Sequence, residues 1–315
     1  MLTLFKSALT TARRPITILG IGALGLGVLS LGACASAPAT QSGFLSDYSR
    51  LEARTDIVRA RVLQFRDEAL VSTIERVLIE PVQLGEGVGT NLTEAERSLL
   101  VYELDRQVCY EVSRRFDLAT AADAAAPRLR LAATRVQITN QAGSVASAVA
   151  DRFIPGPIGL RVPGSTGGLA AEMELLMPDG RQAAALVWSR DAQVVGTDNP
   201  SLSRIGDAHQ LAEPFGDIVG AGVAPKDRRP RTVPDPDPCA QYGPRIRPEG
   251  FVTRFVTGLY TPSISGGGPR DRAAPRADAP QPQAEPQSQP LAPVPPKVDW
   301  RALMPVIPTL PASEV

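Results

Sequence analysis

Hydrophobic and polar positions change period several times along this chain, and each change marks an expected element. Ile74 to Leu84 (IERVLIEPVQL) is rich in branched apolar residues, with Val77 and Ile79 in phase. Pro81 has no N–H to give a ladder, so it marks an edge position or a strand end. Thr93-Glu94-Ala95-Glu96 has the form of a capping box, in which the Thr93 hydroxyl satisfies the third helical amide and Glu96 reaches back. The helix it opens is expected to run to Phe116, because Leu100, Leu104, Val108, Val112 and Phe116 fall on one face. Arg128 to Thr139 alternates as a strand, with Leu129, Leu131 and Ala133 in one phase and Val136 and Ile138 in the other. A bulge near Thr134 reconciles the two halves. Leu169 to Met177 alternates again, placing Ala171, Met173, Leu175 and Met177 inward and Glu172 and Glu174 outward. Pro178-Asp179-Gly180 is a turn, and Arg181 to Arg190 returns as the hairpin partner. Ile205, Ala208, Ala212, Phe215 and Val219 recur at helical spacing, with Pro214 expected to kink that helix.

The order β-α-β-β-α predicts an α+β fold, a mainly antiparallel sheet with two helices packed on one face. It occupies residues 44–222. Beyond it, 20 of the 30 prolines fall after residue 222, and segments such as RRPRTVPDPDP read as solvated polyproline-like chain. A long disordered proline-rich tail is therefore expected over 223–315. Two less polar islands, Phe251 to Tyr260 and Trp300 to Pro308, read either as docking segments or as sticky stretches with no fixed partner. Inside the domain, Gly143 to Gly168 is long for a connection, and loops of that length are usually functional or mobile. Its middle, Val145 to Phe153, reads as a short apolar helix over the sheet or as a partner contact. Gly164-Ser165-Thr166-Gly167-Gly168 offers amides to an anion, although no helix N-terminus follows it.

The first 33 residues have a different character. Lys6, Arg13 and Arg14 are the only charges before an uncharged apolar run from Ile16 to Ala33. Gly20-x-Gly22-x-x-Gly25 within it matches a dinucleotide-binding fingerprint, but no strand precedes it and no helix pattern follows. A basic region, an apolar region and a small-residue exit are instead the parts of a secretory signal peptide, here residues 1–33. The exit, Leu31-Gly32-Ala33-Cys34, resembles the bacterial lipobox, which implies cleavage before Cys34, lipidation of Cys34 and a lipidated linker over 34–43. One acyl chain binds a membrane marginally and several hold stably. Lipoproteins with this motif carry three. Ala35, where an Asp would imply inner-membrane retention, favours the outer membrane, with the inner membrane the lesser alternative.

Ser42-Gly43-Phe44-Leu45-Ser46-Asp47-Tyr48-Ser49-Arg50-Leu51, then Val77-Leu78-Ile79-Glu80-Pro81-Val82, then the run from Arg130 through Trp188 resemble the bacterial lipoproteins grouped as domain of unknown function 3313 (DUF3313). The similarity covers residues 42 to 220. The charged stretch Ala53 to Arg66 departs from the short proline- or glycine-rich spacer usual in that family. The resemblance implies no particular activity, and the pattern is similar to small periplasmic adaptor modules only by analogy of fold.

Composition narrows the chemistry. Lys and Arg number 33 against 33 Asp and Glu, and without the three basic residues of 1–33 the balance is 30 against 33. That mild acidity argues against nucleic acid as a partner. With Cys34 assigned to the lipobox, Cys109 and Cys239 are left either to pair as a disulfide in an oxidising compartment or to stand as small buried hydrophobes. His209 is the single histidine and lies beside Asp207. The pair reads as a general base with its orienting acid, or, since no GxSxG elbow occurs, as residues of a helix surface. Zinc spacings cannot be assembled from one histidine without a CxxC pair, so no metal and no cofactor is expected. Glu172 and Glu174 share a strand face and read as paired carboxylates or, more simply, as the solvated face of a sheet. The expectation is a non-enzymatic, membrane-anchored, periplasm-facing binding or scaffold module, meeting the membrane through Cys34 and an envelope protein or the cell wall through its tail. The alternatives are an envelope enzyme, or a carrier of an apolar ligand, working through the 143–168 loop.

Overall fold

A computed structural model describes residues 36–151, 159–245 and 247–265. All lie in the first of the two units into which the chain divides, Met1–Ala274 and Pro275–Val315. In chain order the first half comprises β1 (Glu52–Ala53), β2 (Arg61–Arg66), α1 (Glu68–Ser72), β3 (Arg76–Ile79), β4 (Gln83–Leu84), α2 (Glu94–Ser113), β5 (Asp117–Leu118) and β6 (Arg128–Gln137). The second comprises α3 (Gln141–Asp151), β7 (Gly159–Leu160), β8 (Gly168–Leu176), β9 (Gln182–Asp191), β10 (Val195–Gly196), α4 (Gly206–Gln210), α5 (Ala212–Val223), α6 (Pro248–Thr257) and α7 (Pro262–Ser265).

Eight strands form one sheet in the order β1-β2-β9-β8-β6-β3-β5, with β4 also on β6, while β7 and β10 make a separate ribbon. The centre is antiparallel, and only the short β3, β4 and β5 pair in parallel. The fold is thus α+β with a mainly antiparallel sheet. Local sequence accounts for the details. The register of β6 against β8 slips between Ala133 and Arg135. That slip lets Leu129, Leu131, Ala133 and then Val136 all reach the helix side. Thr93 Oγ1 accepts from the Glu96 amide at 3.2 Å and Glu96 Oε2 accepts from the Thr93 amide at 2.8 Å, so the capping box starts α2. The predicted helix containing Pro214 is two helices, breaking at Leu211, with Pro214 in the first turn of α5 where a missing N–H costs least.

Between sheet and helices the five positions of the α2 stripe, together with Ile205, Ala208, Ala212, Phe215 and Val219, are essentially inaccessible. Trp188 of β9 packs on Phe215 with ring centroids 5.5 Å apart. Helices α2 and α5 approach closely because Gly216 has no side chain: a Cβ there would stand 2.9 Å from the backbone of Gln107. The charged stretch noted at Ala53 to Arg66 holds β2, which pairs with β9 along its whole length.

Two expectations are corrected at the ends of the domain. The segment expected as a linker over 34–43 is pinned from Ser36 onward: the Ala37 amide donates to Asp191 Oδ2 at 2.8 Å and the Ser42 amide to Glu172 Oε1 at 2.7 Å. Of the tail expected as disordered over 223–315, the described part up to Ser265 packs on the domain through Tyr242, α6 and α7. Its arginines account for the ordering, because they donate to carbonyls at and just beyond the C-terminal end of α2. Arg245 Nη1 donates to Tyr110 O at 3.1 Å, Arg231 Nη2 to Phe116 O at 2.8 Å, and Arg231 also reaches Ser113 O. Arg106 of α2 reciprocates, donating to Pro244 O at 2.9 Å. Charge and proline content read as solvated chain; here the charges cap a helix. Residues 266–315, including the island Trp300 to Pro308, lie outside the described residues.

Candidate functional site

A cleft of about 550 Å³ opens where α2 and the α4–α5 junction meet the segment after β9 and the C-terminal strap. At its floor is His209, 1 % exposed, not on the helix surface where the sequence suggested it. Its Nδ1 lies 2.8 Å from the hydroxyl of Tyr260, on the strap, and its Nε2 lies 4.0 Å from Glu103 Oε2, on α2. Tyr260 is only half-buried as a residue, but its hydroxyl reaches the imidazole, and desolvation there pushes its ionisation well above the usual tyrosine range. The protonated hydroxyl and Nδ1 share a hydrogen bond, while Nε2 faces the Glu103 carboxylate without bonding it. Burial lowers the imidazole's own pKa, with the Glu103 charge opposing that shift. His209 is therefore a neutral brace for the strap, bonded to it through Nδ1.

The rim carries both signs of charge. Arg190 holds Asp198 through both carboxylate oxygens, at 2.7 and 3.0 Å. Asp217 is pushed up to about 6, by partial burial first and then by the Glu111 and Glu213 carboxylates, with Arg115 and Arg114 opposing.

The sequence-predicted residues fall elsewhere. Asp207 does not orient His209, since residues two apart on a helix do not face each other. Its carboxylate receives Arg161 Nη1 and Nη2 at 2.5 and 3.0 Å, Thr139 Oγ1 at 3.0 Å and the Gly167 amide at 2.6 Å, all buried. One amide of the glycine-rich stretch, that of Gly167, meets an anion, and that anion is the chain's own Asp207. The loop's apolar part forms α3, and its Arg161 is the group that fixes it. None of the described residues of 143–168 lines the cleft.

Glu172 and Glu174 are not a solvated face: both are fully buried. The segment Ser42 to Tyr48 covers them. Tyr48 donates its hydroxyl proton to Glu172 Oε2, and Ser46 donates to Glu174 Oε2 through its amide at 2.8 Å and its hydroxyl at 2.7 Å. Arg130 and Gln182 supply further donors to Glu174, at 2.7 and 3.1 Å. Leu45 sits among Ala185 and Val187, with Phe44, Leu63 and Phe65 around them. The alternation of β8 was legible, but an even face reads as solvated when the strip that covers it is remote in sequence. Cys109 and Cys239 are bonded, Cα atoms 5.9 Å apart, and tie the strap to α2. Cys34 lies outside the described residues. The sequence reading missed Glu103, Tyr260 and Arg161; the one available signal was Arg161 as the only charge in the apolar run GPIGLRVPG.

Among the described residues no cluster of three or more His, Cys, Asp or Glu could hold a metal ion, and no helix is long and apolar enough to cross a membrane. Residues 40–218 match the family described as "Protein of unknown function (DUF3313)". The chain belongs to that family. The Ser42 to Tyr48 clasp and both glutamates it covers lie inside the DUF3313 match, whereas Cys239 and Tyr260 lie beyond it. No curated protein matches. Among solved structures, the chain is similar to the PelC dodecamer from Paraburkholderia phytofirmans, at 10 % identity over 52 % of this chain and 96 % of that one, with a TM-score of 0.30. A variant PelC dodecamer from the same organism gives 11 %, 54 % and 99 %, with a TM-score of 0.28.

Proposed function

We propose that this chain is an outer-membrane lipoprotein, acylated on Cys34 and facing the periplasm, whose domain serves the cell envelope as a non-enzymatic binding or scaffold module. The observation that carries the reading is the mooring of the chain immediately after the lipobox. Ser36 and Ala37 are hydrogen-bonded to Arg59 and Asp191, and Ser42 to Tyr48 clasp two buried glutamates. An anchor at Cys34 is then an anchor on the domain itself. The binding role rests on the cleft, whose rim is charged and whose one histidine is neutral and occupied as a brace. An enzyme working through the 143–168 loop is less well supported, because Asp207 already takes up Arg161 and the Gly167 amide. A carrier of apolar ligands is less well supported too, because Trp188, Phe215 and Met173 fill the space between sheet and helices.

The anchoring half is tested by expressing the full chain in a Gram-negative host, separating inner and outer membranes and measuring the mass of the N-terminal peptide. The expected result is outer-membrane protein with an acylated Cys34, and soluble protein for Cys34→Ser; an unmodified Cys34 overturns it. The binding half is tested with a photo-crosslinking residue at Arg254, on the cleft rim, in the acylated protein. A specific envelope neighbour is expected, and a correctly anchored protein that crosslinks to none overturns it.

A further inference from the structure

The reach of the chain between its anchor and its first fixed residue has a geometric consequence. Ser36 Oγ donates to Arg59 O at 3.3 Å and accepts from the Asp191 amide at 3.2 Å. From Cys34 to Ser36 there are two residue steps, which fully extended span at most about 7 Å. That is shorter than the roughly 30 Å run of β8 and β9, nine and ten residues at about 3.3 Å each. The Ser36 end of the sheet is therefore held close to whatever holds Cys34, and the Pro178-Asp179-Gly180 turn lies at the opposite end of β8 and β9.

The surface around Ser36 has the composition of an interfacial face. Val58, next to Arg59, is 95 % exposed. Arg59 Nη1 reaches Thr197 Oγ1 at 3.4 Å, which places the β10 ribbon alongside, with Val195 52 % exposed and Leu160, its ladder partner, 44 % exposed. Arg59 and Arg61 follow Val58 in the chain and are themselves exposed. Exposed apolar side chains beside arginines are the pattern that settles at the boundary of headgroups and acyl chains, with cations meeting anionic lipid.

We propose that the Ser36 end of the sheet is a membrane-contacting face, with Val58 and Val195 in the headgroup boundary of the bilayer and Arg59 and Arg61 against anionic headgroups. The occupant of this surface is the lipid bilayer. The inference rests on acylation of Cys34. Its consequence is that the domain stands in a fixed orientation on the membrane and does not swing on a tether.

The test uses the full-length acylated protein with single cysteines introduced as Val58→Cys, Val195→Cys and, as the distant control, Asp179→Cys. With Cys34 acylated and Cys109 bridged to Cys239, the introduced thiol is the labelling site for an environment-sensitive fluorophore. Reconstituted into phosphatidylethanolamine–phosphatidylglycerol vesicles carrying a lipid-borne quencher, labels at 58 and 195 are expected to shift to the blue and to quench severalfold more than the label at 179. Equal, water-like emission at all three sites, in protein whose mass shows acylated Cys34, overturns the proposal while leaving the anchor intact. A mass showing unmodified Cys34 overturns the anchor and the proposal with it.

Discussion

Arg161 and Asp207 form a fully buried ion pair, side chains 1 % and 0 % exposed, that joins the 143–168 loop to the first turn of α4. Both Asp207 oxygens are occupied, and the partners come from three separate segments: Thr139 after β6, Arg161 after β7 and Gly167 before β8. Gly167 is required there because a Cβ would stand 2.6 Å from Gln137 O. Removing one member leaves an uncompensated charge in the interior, so Asp207→Ala is expected to cost about 3–5 kcal/mol. The double variant Arg161→Leu, Asp207→Leu is expected to cost less than the single one, and urea unfolding of the three proteins checks the order.

The Tyr48 hydroxyl has the same role on the opposite side of the sheet. It accepts from the amides of Gly43 and Leu45, at 2.8 and 3.0 Å, while donating to Glu172. Tyr48→Phe removes all three bonds and leaves a buried carboxylate one donor short, which is expected to destabilise by about 1–3 kcal/mol. Hydrogen exchange is the sharper measurement. The amides of Gly43 and Leu45 are expected to lose protection while those of β8 keep theirs.

What was legible in the sequence was local. The capping box at Thr93, the slip at Thr134 and the α2 stripe each depend on neighbours within one or two turns or rungs, so periodicity carries them. The burial of Glu172 and Glu174 was not legible, since 124 residues separate Tyr48 from Glu172. The same holds for the strap: His209 and Tyr260 are 51 positions apart, and arginines among prolines read as solvated until α2 presents carbonyls for them to cap. The GFLSDYS motif was visible as a resemblance, whereas its physical reason, two carboxylates needing donors, appears only in three dimensions.

The Cys109–Cys239 bridge closes a segment of 130 residues. In the chain-entropy account a loop of that order restrains the unfolded state by about 4–5 kcal/mol. The strap otherwise holds through arginine contacts, the Tyr260–His209 bond and bonds from Tyr102, Tyr110 and Ser201 to its carbonyls, none of them within the sheet, so its attachment is expected to weaken before the sheet does. Cys239→Ser, or reduction of the native protein, is expected to expose residues 224–265 to protease while a fragment ending near Val223 resists. Limited proteolysis with mass mapping of the fragments measures this, and simultaneous loss of both regions would show that strap and sheet unfold as one.

Asp217 gives the domain a pH dependence of defined sign. Its folded pKa of about 6 stands above the ordinary 3.8, through partial burial and the Glu111 and Glu213 charges. The folded state therefore holds this proton more tightly than the unfolded one, and the stability the group contributes is full in acid and falls as pH rises from about 4 through about 6. Because the residue is exposed, solvent screening keeps the effect at no more than about 1 kcal/mol. Asp217→Asn removes the titration without changing the shape of the side chain. It is expected to stabilise the protein at pH 7.5 and to confer no such gain at pH 4, read as the difference between variant and native unfolding midpoints at the two values. A gain of equal size at both would trace the effect to packing at α5 instead of charge among its carboxylates.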